Sequence, residues 1–362
     1  MNPIVFLLLT SAAAQCIPPP TSCPRTQDQV ICHIENLWLL GGKFYTSSSF
    51  EPLPYTLTEH HAGTITIHRA PYVLRATEMW QGGLTVIHHR IFPHAYAHMM
   101  RDTIPQDLFA FRRFHTRTWD PDVIRPQLRL LYLDGQTTTH EGYRIHSDHP
   151  PWERTPDSLP DMFFARAVVG HFGHAPVDEC NHHFFTPDDW QGYSDFLAQA
   201  TLGRLPPRNP SAVWLANRNR GADRELLNAD DLARALPGEI LDHRPGDLQW
   251  RNQILLARTA AVIVGPHGAN LANIVAAGTN VSVVEILIGE FASGWYAQQC
   301  AYQGARWFSS HDRVDAIPFT EPEGRGRCRA DVPVVVKRVA AALGDRVPHC
   351  QFPFTAKVQV CT

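Results

Sequence analysis

The stretch that decides the fold is AAVIVGPHGANLANIVAAG, residues 260–278. Its apolar, β-branched beginning stops at Gly265, and a short apolar segment of helical character follows the corner Pro266-His267-Gly268. This pattern predicts a buried strand that turns directly into a helix. Unpaired backbone N–H groups at the start of a helix carry a partial positive charge. We therefore expect the corner at His267 to bind an anion, above all a phosphate.

The segments around this stretch alternate between strand-like and helix-like patterns. Strands are predicted at residues 212–216, 239–241, 261–265 and 281–287, and helices at residues 228–236, 248–259 and 269–277. Such alternation is typical of βαβ units and a parallel sheet. Ligands of parallel sheets bind beyond the carboxyl ends of the strands, which is where Asn217, Arg218 and His267 are expected.

The N-terminal half has a different pattern. Its strand-like runs are GTITIHRA, GGLTVIHH, LRLLYLDG and MFFARAVVG, which begin at residues 63, 82, 128 and 162. Residues 94–114 are predicted to be largely helical, with an interruption at Pro105. Three prolines follow within residues 203–211, where the regular pattern of the second half begins. Because 362 residues suffice for two domains, we place a domain boundary there.

The overall composition is that of a soluble globular protein. The net charge is −3 with histidine counted as neutral, and the 32 basic residues are dispersed along the chain. Binding of nucleic acid needs a concentrated basic patch, so no nucleic-acid partner is expected. The 20 histidines make the effective charge sensitive to pH below neutrality.

The N-terminus, MNPIVFLLLTSAAAQC, has a short apolar core followed by small residues. This pattern is typical of a secretory signal peptide, which we predict over residues 1–14, with a buried N-terminal strand as the alternative. The apolar run is well short of the ~20 residues that span a bilayer, so no spanning segment is expected in the mature chain. We therefore predict entry into the secretory pathway, with the protein in the lumen of the endoplasmic reticulum or Golgi, or secreted.

The cysteines agree with an oxidising compartment. They are Cys16, Cys23, Cys32, Cys180, Cys300, Cys328, Cys350 and Cys361. Their even number favours disulfides, and no pair has the C-x-x-C spacing of a zinc ribbon or a thioredoxin-type site. Asn280-Val281-Ser282 fits the N-glycosylation acceptor pattern, with an unmodified asparagine as the alternative.

A basic segment, NRNRGADRELLN, follows the first strand of the second half. Its guanidinium groups belong to Arg218, Arg220 and Arg224. Guanidinium groups at a strand's carboxyl end can clamp a diphosphate in two-pronged contacts, and the alternative for each is a solvated loop. At the corner itself, Gly268 lets the backbone approach a phosphate closely, and Asn270 and Asn273 add amide groups.

Three stretches resemble the family 61 glycosyltransferases, which include xylosyltransferases and N-acetylglucosaminyltransferases. YAHMMRDTIPQDL matches the family at His98, Asp102 and Pro105. NRNRGADRELLNADDL matches it at Arg218, Arg224 and Asn228. Residues 250–286 match its closing motif at Gln253, Gly265, His267, Gly268, Ala269, Leu271, Asn273 and Glu285. The three stretches occur in the family's order.

The resemblance implies an α/β fold of the GT-B type, with two Rossmann-like domains facing each other across a cleft. The domains would be an acceptor-side domain over residues 15–205 and a nucleotide-sugar-binding domain over residues 206–320. A disulfide-tied tail, residues 321–362, would pack back across the domains. The implied reaction is inverting transfer of a sugar, xylose or N-acetylglucosamine, from a UDP-sugar to a hydroxyl of a glycan or glycoprotein.

The resemblance also implies roles for particular residues. Donor binding would fall to Arg218, Arg224, Asn228, His267, Gly268, Ala269, Asn270, Asn273 and Glu285. For the base that deprotonates the acceptor, the candidates are His98 and Asp102, because a spacing of four puts both on one helical face. Either the histidine, oriented by the carboxylate, takes the proton, or the aspartate acts directly. The alternative is that the pair only shapes the cleft.

The chain departs from the family pattern at two positions, and two of its histidines also fit a different kind of site. Relatives often carry Asn where this chain has Ala95, and usually a small residue where it has Asn270. Ala95 favours an alternative function, a catalytically degenerate relative that binds a sugar nucleotide or glycan. His94 and His98 have the spacing of a helical zinc site, which would make the protein a zinc hydrolase, although no Glu follows His94. No Asp-x-Asp stands in a strand–loop position to hold manganese, so we expect a reaction without cofactor or metal.

Overall fold

The structure is a computed structural model. It describes residues 14–17, 31–47, 55–59, 63–70, 76–80, 82–90, 92–138, 141–170, 186–217, 225–242, 248–287, 295–309 and 329–344. Several predictions fall outside these ranges. They concern the signal peptide before residue 14, the basic residues Arg218, Arg220 and Arg224, and the cysteines Cys23, Cys180, Cys328, Cys350 and Cys361. These stay predictions.

Strands and helices share the described residues. The strands are β1 (Ala14–Ile17), β2 (Ile31–Leu40), β3 (Lys43–Thr46), β4 (Tyr55–Glu59), β5 (Gly63–Arg69), β6 (Glu78–Trp80), β7 (Leu84–His88), β8 (Leu128–Tyr132), β9 (Trp152–Glu153), β10 (Met162–Val169), β11 (Asn209–Leu215), β12 (Glu239–Asp242), β13 (Ala260–Pro266), β14 (Ser282–Ile286) and β15 (Arg306–Ser309). The helices are α1 (Tyr96–His98), α2 (Ile104–Phe114), α3 (Pro121–Ile124), α4 (Pro187–Leu202), α5 (Ala229–Ala235), α6 (Trp250–Thr259), α7 (Ile274–Ala277), α8 (Trp295–Gln303) and α9 (Val332–Leu343). A π turn, Met99–Thr103, joins α1 to α2, and short 3₁₀ segments lie at Glu141–Arg144, Pro156–Ser158 and Ala269–Asn273. The predicted α/β class is confirmed.

Strands β1 to β10 form one mixed sheet in the described part of the chain. Its order is β4-β5-β3-β2-β10-β7-β8-β9, while β1 pairs with β2 and β6 pairs with β10. Neighbours β10, β7 and β8 run parallel, whereas β2 is antiparallel to β1, β3 and β10. Parallel strands have their carboxyl ends at one edge, so the segment that leaves β7 toward α1 starts at the edge where β8 also ends.

Strands β11 to β15 form a second sheet, which is parallel throughout. Its order is β12-β11-β13-β14-β15, so the strand order reverses between β11 and β13. In open α/β sheets, ligands bind at the carboxyl edge of such a reversal, the topological switch point. The strands predicted in this half are confirmed as β11 to β14. Whether the two sheets represent two independent domains stays a prediction.

Helices cover both faces of the second sheet because its strands are apolar on both sides. On one face, Val213, Val262 and Val284 share a core with α5 and α9. On the other, Trp214 and Ile263 share a core with α4, α6 and α8 that continues to β7 and β8 of the first sheet. One apolar core therefore joins the two sheets through the helices between them.

The helical segment after β7 corrects one prediction, the interruption at Pro105. In the structure α1, the π turn and α2 follow one another without a break, and Pro105 lies in the first turn of α2. A proline lacks an N–H, and its ring crowds the carbonyl four residues earlier. The π turn before Pro105 widens the helix there, with the Ile104 N–H bonded to the Met99 carbonyl. The helix therefore accommodates the proline and continues through it.

The segment after His267 is also less regular than the predicted helix over residues 269–277. It consists of the 3₁₀ segment Ala269–Asn273 and the single turn α7. Because both pieces are short, the backbone dipole at this corner is smaller than that of a longer helix. Any positive charge that attracts an anion here must come mainly from side chains.

The C-terminal region is described over residues 329–344 only. There α9 packs against β13, β14 and β15 of the second sheet, and its first turn is capped by Asp331. None of the described helices has the length and apolar composition that a bilayer crossing requires.

Candidate active site

The switch point of the second sheet brings the ends of β11 and β13 together. Asn217 lies just beyond β11, and His267 lies just beyond β13. The side-chain amide of Asn270 donates a hydrogen bond to the Asn217 carbonyl and ties the two ends to each other. The strand ends therefore meet at one edge, where the sequence predicts an anion site.

His267 is held at this edge by a buried carboxylate. Its Nδ1 donates a hydrogen bond to Glu285 Oε1. Glu285 lies on β14 directly beside Gly265 of β13. The Trp307 indole N–H donates to the other oxygen, Oε2, at 2.8 Å. Because Glu285 is fully buried and bonded through both oxygens, it fixes the orientation of the imidazole.

Helix α8 contributes a second support for the same corner. The ring of Tyr296 packs edge-on against His267, with ring centroids 5.2 Å apart. The Tyr296 hydroxyl donates a hydrogen bond to the Gly268 carbonyl. One aromatic side chain therefore contacts both residues that the sequence singles out at the corner.

A second histidine–carboxylate pair lies on the helical segment of the first half. His98 Nδ1 donates to Asp102 Oδ2 over 2.6 Å. Asp102 is fully buried, whereas the His98 side chain keeps 14% of its surface exposed. The two lie on one helical face, as the sequence predicts. Of the two, the histidine is therefore the group that a substrate can reach.

Arg101 is the cation beside this pair. Its Nε lies 3.2 Å from Asp102 Oδ1, and its Nη2 lies 3.3 Å from Oδ2. Burial disfavours the guanidinium charge, but the charge and hydrogen bonds of Asp102 outweigh burial and raise the Arg101 pKa above its ordinary value. The negative charge of Asp102 is therefore compensated without a positive charge on His98.

Two contacts connect the pairs into one site. The Tyr96 hydroxyl donates to Asn273 Oδ1 at 2.7 Å and so joins α1 to the 3₁₀ segment of the second half. The Arg101 guanidinium lies over the Trp295 ring, 4.7 Å from its centroid. Trp295 immediately precedes Tyr296 on α8. The histidine pair of each half is thus linked to the other through packed side chains.

Like Asn270, the other two predicted donor-binding amides have protein partners. Asn273 is fully buried, and its Nδ2 donates to Gln253 Oε1 at 3.0 Å and to the Asn270 carbonyl at 2.9 Å. Asn228 bonds the backbone of Ala330 through both ends of its amide, at 2.8 and 2.9 Å. Asn273 therefore braces the corner, and Asn228 anchors the segment before α9. A contact of either amide with a donor stays a prediction.

The remaining predicted residues are divided between the corner and the undescribed segments. Gly268 is buried at the corner, and Ala269 begins the 3₁₀ segment. Arg218 and Arg224 lie outside the described residues. Their roles toward a donor stay predictions.

The two histidines of the hypothetical helical zinc site do not lie on one helix. His94 lies in the turn before α1 and not on the helix, and His98 Nδ1 is bonded to Asp102. Over the described ranges, no group of three or more His, Cys, Asp or Glu side chains is placed to hold a metal ion.

The sequence analysis missed four residues of the site: Arg101, Trp295, Tyr296 and Trp307. Arg101 stood next to Asp102 in a quoted motif, and its position could have marked it as a charge partner. The three aromatic residues carried no local signal. They reach the pairs only because the sheet order brings α8 and β15 beside the ends of β13 and β14.

Comparison with protein families identifies the class of the chain. The family model for Glycosyltransferase 61 matches residues 96–284, just over half of the chain. The chain belongs to the glycosyltransferase 61 family. The resemblance noted from the motifs is confirmed, and family membership makes the protein a glycosyltransferase with a sugar donor and an acceptor. The matched region includes both His98 and His267. A search of curated proteins found no match.

Proposed function

We propose that this glycosyltransferase moves a sugar from a UDP-sugar to a hydroxyl of a glycan or glycoprotein, with inversion at the anomeric carbon. The observation that carries the proposal is that two histidine–carboxylate pairs, one from each sheet region, belong to one connected site in a chain of this family. The separate sheets β1–β10 and β11–β15 support a GT-B arrangement. Xylose and N-acetylglucosamine are the proposed sugars, from the family resemblance alone.

In this proposal His267 holds the diphosphate of the donor. Among the described hydrogen-bond partners of Glu285, His267 is the one that can carry a positive charge, since the other is the Trp307 indole. Glu285 accepts from His267 Nδ1 and so holds the imidazole in one orientation for the proposed contact with the diphosphate. The charge-assisted bond of the imidazole to the diphosphate strengthens as the leaving group gains negative charge.

His98 is the proposed general base, and Asp102 is a positioning residue. Asp102 is fully buried and occupied by His98 and Arg101, so it orients the imidazole with a proton on Nδ1. His98 Nε2 then takes the proton of the acceptor hydroxyl. The hydroxyl oxygen bonds to the anomeric carbon while the bond from that carbon to the diphosphate breaks. The electron pair of that bond leaves with UDP.

The protein is further proposed to work in the secretory pathway without a metal. The signal-peptide pattern of residues 1–14 and the even number of cysteines support this location. Cys32 is disulfide-bonded, whereas Cys300 is a buried free thiol. In this proposal the His267 side chain, and not a metal ion, contacts the leaving diphosphate.

The alternative, a degenerate relative that binds without turnover, was favoured by Ala95. In the structure Ala95 is the residue before the first turn of α1, and no side chain caps that helix. An asparagine at this position would cap the helix, so the departure bears on helix stability first. The Ala95 departure therefore gives no specific argument for the degenerate reading.

A donor screen tests the proposal. Wild-type protein is incubated with UDP-xylose, UDP-N-acetylglucosamine, UDP-arabinose and the GDP counterparts, and sugar release or transfer is measured. We expect turnover of a UDP-sugar that is lost in His98→Ala and retained in His149→Ala. His149 is a suitable control because it bonds the Pro126 carbonyl, which precedes the amino end of β8. Tight UDP binding with no turnover of any donor would instead establish the degenerate binder.

A further inference from the structure

Two large aromatic side chains beside the candidate base are exposed to solvent. Phe92 is 61% exposed and Trp295 is 41% exposed. Their rings lie next to the His98 ring, with centroid distances of 4.9 Å for Phe92 and 6.3 Å for Trp295. Exposed apolar side chains are common singly, but here two of them lie against the ring of one candidate base.

The backbone at Phe92 supports a functional reading. Its φ angle is +48°, in the left-handed region that bulky residues rarely adopt. Exposed rings gain little from burial, so packing does not explain why phenylalanine occupies a strained position. Strain of this kind is found preferentially where a side chain serves a ligand.

Arg101, the residue beside the His98–Asp102 pair, contacts the Trp295 ring. The guanidinium of Arg101 lies over that ring, and the same guanidinium bonds Asp102. Phe92 belongs to the segment between β7 and α1, whereas Trp295 opens α8 after β14. The two rings therefore come from the two sheet regions and are positioned together only in the folded site.

We propose that Phe92 and Trp295 form an acceptor subsite that stacks on a sugar ring, so the acceptor is a glycan and not a bare peptide. This inference rests on the proposed function, in which His98 deprotonates the acceptor. The face of an aromatic ring is electron-rich, and it attracts the C–H groups on the apolar face of a pyranose. The sugar's hydroxyls stay at its edge, where water remains and where one of them can reach His98. A peptide side chain that needed full desolvation would fit less well on rings that are open to solvent.

Binding to Trp295 can be followed directly. The full chain is labelled with 5-fluorotryptophan, and the Trp295 signal is assigned by its loss in Trp295→Phe. Methyl glycosides of mannose, galactose, xylose and N-acetylglucosamine are titrated in the presence of UDP, and a Ser/Thr peptide is titrated in parallel. We expect at least one glycoside to shift the Trp295 signal, and the peptide to leave it unchanged.

Variants then test the stacking. Phe92→Ala should raise the half-saturating glycoside concentration by about 3- to 10-fold, the range expected for loss of one aromatic contact. Leu205→Ala is the matched control, because Leu205 is 49% exposed and lies in the segment between α4 and β11. This control should bind like the wild type.

Phe92→Gly separates binding from folding. Glycine adopts a φ of +48° freely, so its melting temperature should be no lower than that of Phe92→Ala, while both lose glycoside affinity equally. Weak binding that follows melting temperature across the two variants would overturn the subsite.

Failure of the subsite and failure of the proposed function are distinguishable in the same samples. If a UDP-sugar is turned over but no glycoside shifts Trp295, or only the peptide does, the subsite is wrong and the transferase proposal stands. If glycosides shift Trp295 but no UDP-sugar is bound or turned over, the subsite stands and the transferase proposal is wrong.

Discussion

The two histidine–carboxylate pairs of the site differ in what surrounds the carboxylate. Asp102 lies four residues after His98 on the same helical segment, and it is bonded to the Arg101 guanidinium. Glu285 reaches His267 from the neighbouring parallel strand, and its second partner is a neutral indole. Among the described residues, one buried carboxylate is bonded to an arginine and a histidine, and the other to a histidine and an indole.

We infer the proposed roles of the two histidines from this difference. At His98, Arg101 is paired with Asp102, and the carboxylate orients the imidazole that is proposed to accept the acceptor's proton. At His267 the described partners of Glu285 include no arginine, and the imidazole is the group proposed to bond the anionic leaving group. In the proposed mechanism one histidine–carboxylate pair therefore supplies the general base and the other contacts the diphosphate. The difference between them is the arginine beside Asp102.

A third histidine–carboxylate cluster, around Asp107 on α2, serves as a reference. Asp107 accepts hydrogen bonds from His88 at 2.8 Å, His146 at 3.0 Å and the Tyr132 hydroxyl at 2.7 Å. His88 Nδ1 also donates to the His89 carbonyl, so both of its ring nitrogens carry hydrogen. All the clustered side chains are buried. This cluster is a structural ion pair beneath α2.

The largest effect is expected from Arg101→Met, which removes the arginine that distinguishes the His98–Asp102 pair from the His267–Glu285 pair. Asp102 would keep a buried charge without its arginine, and the free energy of unfolding should fall by ~3–5 kcal/mol. Arg101→Lys retains a cation and should lose less. Urea unfolding of both variants measures the difference. Equal and small losses in both would mean that Arg101 does not compensate Asp102.

The next effect concerns the reference cluster, through Asp107→Asn. Burial alone would raise the Asp107 pKa, but the His88 charge and the hydrogen bonds from both histidines outweigh it and lower the pKa well below its ordinary value. The carboxylate therefore stabilises the fold above the unfolded-state pKa of about 4, and this contribution is lost as pH falls below that value. At pH 7 the variant should lose ~1–3 kcal/mol.

Urea unfolding at pH 7 and pH 3.5 checks the sign of this contribution. The stability lost by Asp107→Asn should shrink toward the acid end. Asp122→Asn, at an exposed position, should follow the wild type at both pH values. A loss from Asp107→Asn that is constant with pH would assign the effect to packing instead of charge.

Glu285→Gln tests the His267–Glu285 pair, and its expected effect on free energy is smaller. A glutamine retains an acceptor for His267 and loses the negative charge beside the imidazole. We expect UDP affinity to fall about tenfold, which corresponds to ~1.4 kcal/mol. Trp307→Phe, which removes the neutral partner only, is the control and should change UDP affinity less. Calorimetric titration with UDP measures both affinities. An unchanged affinity in Glu285→Gln would show that the charge of Glu285 does not contribute to UDP binding.

The smallest effect is expected from Ala95→Asn, which restores the family's residue before α1. An asparagine side chain there can accept a hydrogen bond from the first helical turn and should add ~0.5–1 kcal/mol to the free energy of unfolding. Turnover should stay within twofold of the wild type. A large gain in turnover would instead give this position a role in the chemistry and would support the degenerate reading of the natural chain.

The sequence predicted best where physical signals are local. The strands of the second sheet are continuous apolar runs, so β11 to β14 were located within a few residues, and the spacing of His98 and Asp102 predicted their contact. Features that depend on distant chain segments were not predictable in this way. The rings of Trp295 and His98 lie close together although nearly 200 residues separate them in the sequence. Asn228 bonds the backbone of Ala330, which lies about 100 residues further along the chain. The π turn before Pro105 was also missed, because a proline predicts a break and carries no sign of the wider turn that avoids it.

The most direct test of the division of labour between the pairs is UDP binding by calorimetry to His267→Ala and His98→Ala, each with an unchanged melting temperature. We predict that His267→Ala loses UDP affinity and slows transfer by ~10²–10³-fold, as expected for loss of one preorganised donor. His98→Ala should bind UDP like the wild type and lose transfer by ~10²–10⁴-fold. Wild-type UDP affinity and turnover in His267→Ala would contradict the account and make the corner after β13 a purely structural element.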